Sequence, residues 1–171
     1  MTTASSTDYA FKSGNLARWN RHRQNPIQRT PTRFFEKLHA EFDFTLDAAA
    51  SEANAKVPRY FTRDVDGLGQ DWGAERVWCN PPFGRGLNEW CRKAWEASRA
   101  GALVVLLVPC ATDMDWWHDY ILEADEVRFV RGRMSFDSED LMRSNYVFPV
   151  CIAVFRPQAT GERVSLGLEA P

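Results

Sequence analysis

Apolar residues recur along this chain with two different periods, and each change of period marks a change of element. Phe34, Phe35, Leu38 and Phe42 fall at helical spacing behind Thr30-Pro31. A hydroxyl able to cap, followed by a proline suited to the first helical position, predicts a helix from about Pro31 to Glu41. From Phe42 to Asp47 apolar and polar positions alternate, up to the small run Ala48-Ala49-Ala50-Ser51. That is the pattern of a strand ending in a tight turn. Arg59 to Thr62 reads as a second short strand, and the Asp- and Gly-rich stretch from Asp64 to Gly73 as loop. Val77-Trp78-Cys79 is a brief apolar strand running into Asn80-Pro81-Pro82-Phe83-Gly84, where two prolines forbid both helix and sheet pairing.

Further on, Leu87, Trp90, Cys91, Ala94, Trp95 and Ser98 keep to one face of a helix closed by Gly101. Leu103 to Val108 is apolar throughout, as in a strand buried on both faces at the centre of a parallel sheet. Met114 to Glu123 is predicted as helix, Glu126 to Val130 as strand and Val150 to Phe155 as a last strand. Strands alternating with helices make an α/β domain with a mostly parallel central sheet, and such sheets bind ligands beyond the carboxyl ends of their strands. Asp47-Ala48-Ala49 and Asn80 to Phe83 both fall at such ends.

The opening stretch has a different texture. Residues 1–26 are polar, with Lys12, Arg18, Arg21, His22 and Arg23 among few apolar positions, and read as a flexible arm or a frayed terminus. Residues 27–171 are then expected to form a single domain, since 171 residues bury one sizeable core but hardly two. No run approaches the ~18 consecutive apolar residues of a membrane span, and the start lacks the basic and apolar regions of an export signal. The expectation is a cytoplasmic protein without a membrane partner, monomeric or a weak homodimer. Cys79, Cys91, Cys110 and Cys151 are scattered, with no C-x-x-C pair and only three histidines to join them. Free thiols are expected, with no metal site. A net charge of −2 offers a polyanion no overall attraction, so any nucleic-acid contact must come from a local basic patch.

Asn80-Pro81-Pro82-Phe83 is the segment with the most chemistry. The side-chain oxygen of Asn80 and the backbone carbonyl of Pro81 are two acceptors able to grip an exocyclic amine such as N6 of adenine. The lone pair of that amine is delocalised into its ring, so drawing it out of plane is the catalytic need. Proline cannot donate, and its fixed φ holds the carbonyl in place. Phe83 offers a flat face for a base taken out of a duplex. Read blandly, the same tetrapeptide is a plain turn. Without further context, Leu46-Asp47-Ala48-Ala49 is a strand end with Asp47 capping the next turn. Trp116-Trp117-His118 fits packing better than catalysis.

Asn80-Pro81-Pro82-Phe83 resembles the N-P-P-[YF] motif of amino-methyltransferases. The wider chain, from about Thr30 to Phe155, resembles the phage-type DNA N6-adenine methyltransferase (Dam-like) family. The likeness runs in order through Thr30-Pro31, Phe44 to Ala50, Asn54-Ala55-Lys56, Arg59 to Thr62 and Asp66-Gly67-Leu68, then Trp78 to Gly84, Trp116-Trp117-His118 and Gly132-Arg133. It implies a Rossmann-like S-adenosylmethionine-dependent methyltransferase fold acting on N6 of adenine in double-stranded DNA, with Asn80, Pro81, Pro82 and Phe83 catalytic. It further implies that Thr30 and Pro31 border the S-adenosylmethionine pocket, that Asp47, Ala48 and Ala49 contact its methionine end, and that Asn54 joins them. An acidic loop residue, Asp66 or Asp71, would read the adenosine. One departure is plain. The cofactor turn in such enzymes is usually glycine-rich, whereas alanine admits close approach of a ligand but not positive φ at low cost.

Arg85, Arg131 and Arg133, with the polar segment from Ser135 to Asn145, are candidates to touch DNA, or else make a solvated surface loop. Two rivals stand beside this reading. One is an N-methyltransferase acting on RNA adenine or protein glutamine, whose planar nitrogens suit the same loop. The other is a catalytically silent DNA-binding protein that kept the fold.

Overall fold

In the computed structural model of the chain, residues 29–136, 144–145 and 148–157 are described. The expected arm over residues 1–26 and most of the segment between Ser135 and Asn145 lie outside them. The first helix, α1 (Thr32–Phe42), buries Phe35, Leu38 and Phe42, the stripe that the spacing predicts. It starts one residue later than expected. Pro31 is the N-cap, its carbonyl accepts from the N–H groups of Phe34 and Phe35, and no side chain caps the helix. The Thr30 hydroxyl is therefore not a cap. Asp43 closes the helix in the left-handed region, with φ 49° and its N–H on the His39 carbonyl. Its carboxylate and carbonyl both take hydrogen bonds from Arg76, tying the end of α1 to the start of the second strand.

Because the chain turns at Asp43, the predicted strand over Phe42 to Asp47 shrinks to β1 (Leu46–Asp47). The strand expected over Arg59 to Thr62 is a single parallel bridge between Tyr60 and Asp47. Then follow β2 (Arg76–Cys79), α2 (Leu87–Arg99), β3 (Leu103–Pro109), α3 (Asp115–Asp119) and a 3-10 turn (Ile121–Glu123). The chain continues with β4 (Glu126–Phe129), β5 (Ser135–Phe136), β6 (Ser144–Asn145) and β7 (Val150–Phe155). The helix predicted over Met114 to Glu123 is thus broken at Tyr120, whose φ of −128° cannot continue a helix. The short β5 and β6, an antiparallel pair, were not expected; they flank a polar segment without the alternation that marks a strand.

Five strands form one sheet in the order β1-β2-β3-β7-β4. β1, β2 and β3 pair in parallel, while β7 runs against both β3 and β4. β3 and β4 therefore point the same way, and only β7 is reversed. Strand alternation sorts the core into two faces. Val104, Leu106, Val108, Cys151, Ala153 and Phe155 pack with α2, Trp116 and Trp117. Val105, Leu107, Ile152 and Val154 pack with α1, Phe44 and Trp78. Trp116 and Trp117 are buried core residues, in keeping with the packing reading. Burial pushes the thiols of Cys79, Cys91 and Cys151 upward, so these stay neutral. Among the described residues no helix is long and apolar enough to cross a membrane, and no group of three or more His, Cys, Asp or Glu could hold a metal.

Val104 and Val105 are neighbours in sequence but enter cores on opposite faces of the sheet, both fully buried. Truncating either to alanine should cost about 2 kcal/mol. The double mutant should be additive within about 0.5 kcal/mol, as for independent sites. Guanidinium denaturation of the two single mutants and the double mutant measures this. A coupling above about 1 kcal/mol would show that the two cores do not act independently.

Candidate functional site

β1, β2 and β3 run in parallel, so the chain leaves all three on one side of the sheet, after Asp47, Cys79 and Pro109. A cavity of about 1420 Å³ opens where the first two strands end. Of the residues singled out in the sequence, Thr30, Asp47, Ala48, Ala49, Asn54 and Asp66 line it, as do Asn80, Pro82, Phe83 and Arg85. Pro31, Pro81, Asp71, Arg131 and Arg133 do not. Pro81 is buried. The Asp71 carboxylate is occupied by the Gly73 N–H at 2.8 Å, a local turn. Arg131 and Arg133 are exposed on either side of Gly132.

Asp47 is only 2% exposed. One carboxylate oxygen accepts the Lys56 N–H at 3.1 Å and the other the Ala49 N–H at 3.4 Å, a longer and weaker bond. Burial pushes its pKa up to about 6, opposed by these two N–H donors and by the charge of Lys56. The carboxylate therefore fastens both ends of the turn that follows β1. Ala48 N–H donates to the Trp78 carbonyl and Ala50 N–H to the Phe61 carbonyl, while the Asn54 side chain accepts from Ser51 N–H at 2.6 Å. None of the three alanines has positive φ; among the described non-glycine residues only Asp43 and Asp66 do. The turn thus avoids the conformation that alanine adopts at a cost.

The loop after Phe61 packs down on this turn. Gly67 sits so close that a Cβ there would lie 2.2 Å from the Ala48 carbonyl oxygen and 3.1 Å from the Trp90 ring. The buried indole N–H of Trp72 holds the Gly67 carbonyl at 2.9 Å. Asp66, at φ 56°, precedes this contact and accepts the Leu68 N–H at 3.3 Å. Across the cavity, the Asn80 amide donates to the Thr30 hydroxyl at 3.0 Å, a bond spanning 50 residues of sequence. Phe83 is half-buried and packs partly against both faces of the core. Sequence reasoning did not assign Phe61, Arg63, Trp90 or Met114 to the site, yet all four line the cavity. Helical periodicity places Trp90 on an apolar face but cannot tell the core from a cavity wall.

A family model described as DNA N-6-adenine-methyltransferase (Dam) matches residues 20–168. A protein of Escherichia phage T1 bearing the name DNA N-6-adenine-methyltransferase is 27% identical over 105 residues. That alignment covers 61% of this chain and 43% of the phage protein, so the likeness spans less than half of that relative.

The packing at Gly67 sets up a controlled comparison. Gly67→Ala forces a backbone carbonyl and a ring apart and should cost about 1–3 kcal/mol. Gly69→Ala, whose Cβ would meet nothing nearer than 3.5 Å, should be close to neutral or slightly stabilising. Thermal unfolding of both variants distinguishes them, and equal melting temperatures would remove Gly67 from the architecture of the cavity.

Proposed function

We propose that this chain, which belongs to the DNA N-6-adenine-methyltransferase (Dam) family, transfers a methyl group from S-adenosylmethionine to N6 of adenine in double-stranded DNA, on a Rossmann-like sheet. The observation that carries the reading is the convergence, in one cavity, of the buried Asp47 after β1 and Asn80 to Phe83 after β2. Small-molecule sites usually measure about 300–1,000 Å³, so about 1420 Å³ leaves room for a cofactor and a base together.

The residues present suit the cofactor. A buried carboxylate at the strand end suits a cationic amine, the alanine turn admits close approach, and the carboxylate of Asp66, which lines the cavity, suits ribose hydroxyls. Of the two acidic candidates the proposal takes Asp66, which lines the cavity where Asp71 does not. When bound, S-adenosylmethionine supplies an electrophilic methyl group on a sulfonium centre. The chain's own work is to present the amine. The Asn80 side-chain oxygen accepts a hydrogen bond from the N6 amine, and that bond strengthens as positive charge develops on nitrogen. The backbone carbonyl of Pro81 is the proposed second acceptor, Pro81 itself being buried beside the lining residues Asn80 and Pro82. Phe83 stacks the extruded base. Arg63 and Arg85, both exposed and lining the cavity, are suited to phosphates; Arg131 and Arg133 would contact DNA outside it.

Two measurements test this. Asn80→Ala should abolish most turnover while leaving cofactor and DNA affinity nearly unchanged, and Asn80→Asp, which keeps the oxygen, should retain much of it. Near wild-type turnover in Asn80→Ala would overturn the assignment. Phe83→Ala should lose about 5- to 150-fold in single-turnover rate without unfolding, the value of base stacking, and regain part of it on a mismatched adenine that leaves the helix more easily. A destabilised mutant indifferent to the mismatch would make Phe83 a packing residue.

Asp47 supplies a pH signature. Its carboxylate is ionised above about 6 and protonated below. A cationic cofactor favours the ionised form, so affinity should be level above that pH and fall as pH drops through it, by up to about tenfold per unit. Calorimetric titration with S-adenosylmethionine should show this in the wild type and lose it in Asp47→Ala, which should bind weakly at every pH. A pH-independent affinity in the wild type would take Asp47 out of the cofactor site.

A further inference from the structure

We infer that Arg85 grips the phosphate flanking the target adenine, and does so only once that adenine has left the helix. The inference deepens the proposed function and rests on it. Arg85 stands two residues beyond Phe83, at the tip of a tight turn. The Leu87 N–H donates to the Gly84 carbonyl at 3.2 Å, and Gly86, at φ 91° and ψ −2°, has the values of the third residue of a type II turn. Gly84, at φ 146°, also lies in the region that favours glycine. A Cβ at Gly84 would meet nothing within 4 Å, and one at Gly86 only the Glu89 carboxylate at 3.6 Å. The two glycines therefore serve the backbone path and not close packing. They set one exposed arginine on the wall of the cavity.

The charge of that arginine is uncompensated. Arg59, Arg76, Arg99, Arg128 and Arg156, none of which lines the cavity, are each paired with an acidic side chain. Arg85 makes no ion pair or side-chain hydrogen bond among the described residues, and Glu89, four residues on, does not take it up. An exposed guanidinium without a partner keeps its donors for a ligand, and its fork matches two phosphate oxygens. Placement selects which phosphate. An adenine stacked on Phe83 has its own phosphate one sugar away, and two residues of chain span at most about 7 Å. Arg63 shares the cavity wall but follows the Tyr60 bridge, which lies across β1 from β2. Arg131 and Arg133 follow β4, three strands from β2, about 14 Å along the sheet. A base leaves a duplex by rotation of its nucleotide about the backbone, which moves the flanking phosphates. The contact belongs to the extruded state, so its loss falls on the rate of the bound complex more than on affinity.

The test uses the full chain, radiolabelled S-adenosylmethionine and a short duplex built around an adenine that the wild type methylates, its phosphates replaced one at a time by uncharged methylphosphonates. The wild type should lose about 10- to 100-fold in single-turnover rate at one phosphate flanking that adenine, the worth of a charge-assisted hydrogen bond. Arg85→Ala should lose a similar factor on unmodified DNA and nothing further when the same phosphate is neutralised. Its melting temperature and S-adenosylmethionine affinity should be unchanged. Arg85→Lys, a point charge without the fork, should recover part of the rate. Arg133→Ala should weaken DNA binding yet keep the full sensitivity to the flanking phosphate. With 2-aminopurine in place of the adenine, fluorescence rises on unstacking; that rise should shrink in Arg85→Ala and persist in Asn80→Ala. Independent, multiplicative losses from Arg85→Ala and the flanking methylphosphonate would overturn the inference, as would a defect of Arg85→Ala confined to DNA affinity. A wild type that methylates no duplex adenine would remove the underlying function, a result separable from an active wild type beside an unimpaired Arg85→Ala.

Discussion

The parallel pairing of β1 with β2 sets Leu46 against Val77 and Asp47 against Trp78, and the site follows from what the chain does where that pairing ends. Parallel strands deliver their ends to the same side of a sheet. One end carries a buried carboxylate; the other carries, two residues beyond Trp78, an asparagine followed by two prolines. Proline has no N–H to continue a ladder, so β2 stops and the backbone cannot relax back into the sheet. Both ends rest on a core made on two faces by alternating side chains of β3 and β7. The rigidity of the site is thus borrowed from strands that contribute no residue to it.

The cost of burying Asp47 explains the layout around it. An ionised carboxylate removed from water demands donors, and the nearby donors are backbone N–H groups at Ala49 and Lys56. To supply them, the chain between these residues must fold back on the strand end, which makes the floor of the cavity. A pKa near 6 says that the compensation is incomplete without a further positive charge. Under the function proposed above, a cationic ligand beside Asp47 would supply that charge.

Much of the fold was legible because burial and periodicity coincide. The stripe of α1, the face of α2 and the apolar run of β3 are where the spacing puts them, and β7 spans Val150 to Phe155 as expected. The errors fall where one residue serves two purposes. Thr30 has the chemistry of a helix cap, yet its hydroxyl is drawn to Asn80, a partner 50 residues away that no local rule reveals. Trp90 keeps helical register with core residues while facing a cavity. Each case depends on long-range geometry, which spacing along a chain does not encode.

The alanine turn bears on how such a site can be built without its customary glycines. Glycine is needed where φ must be positive or where another group comes too close for a Cβ. Here the first need is absent, since Ala48, Ala49 and Ala50 all keep to ordinary φ. The second need is met on the opposite strand of the contact: the glycine is at position 67, on the loop that descends onto the Ala48 carbonyl. Close approach constrains the pair of surfaces and not either one by itself, so one glycine across the contact can take the place of one within the turn. The turn is then free to carry methyl groups, which add apolar surface to the cavity floor. The constraint passes instead to Gly67 and to Trp72, whose indole N–H keeps that loop seated.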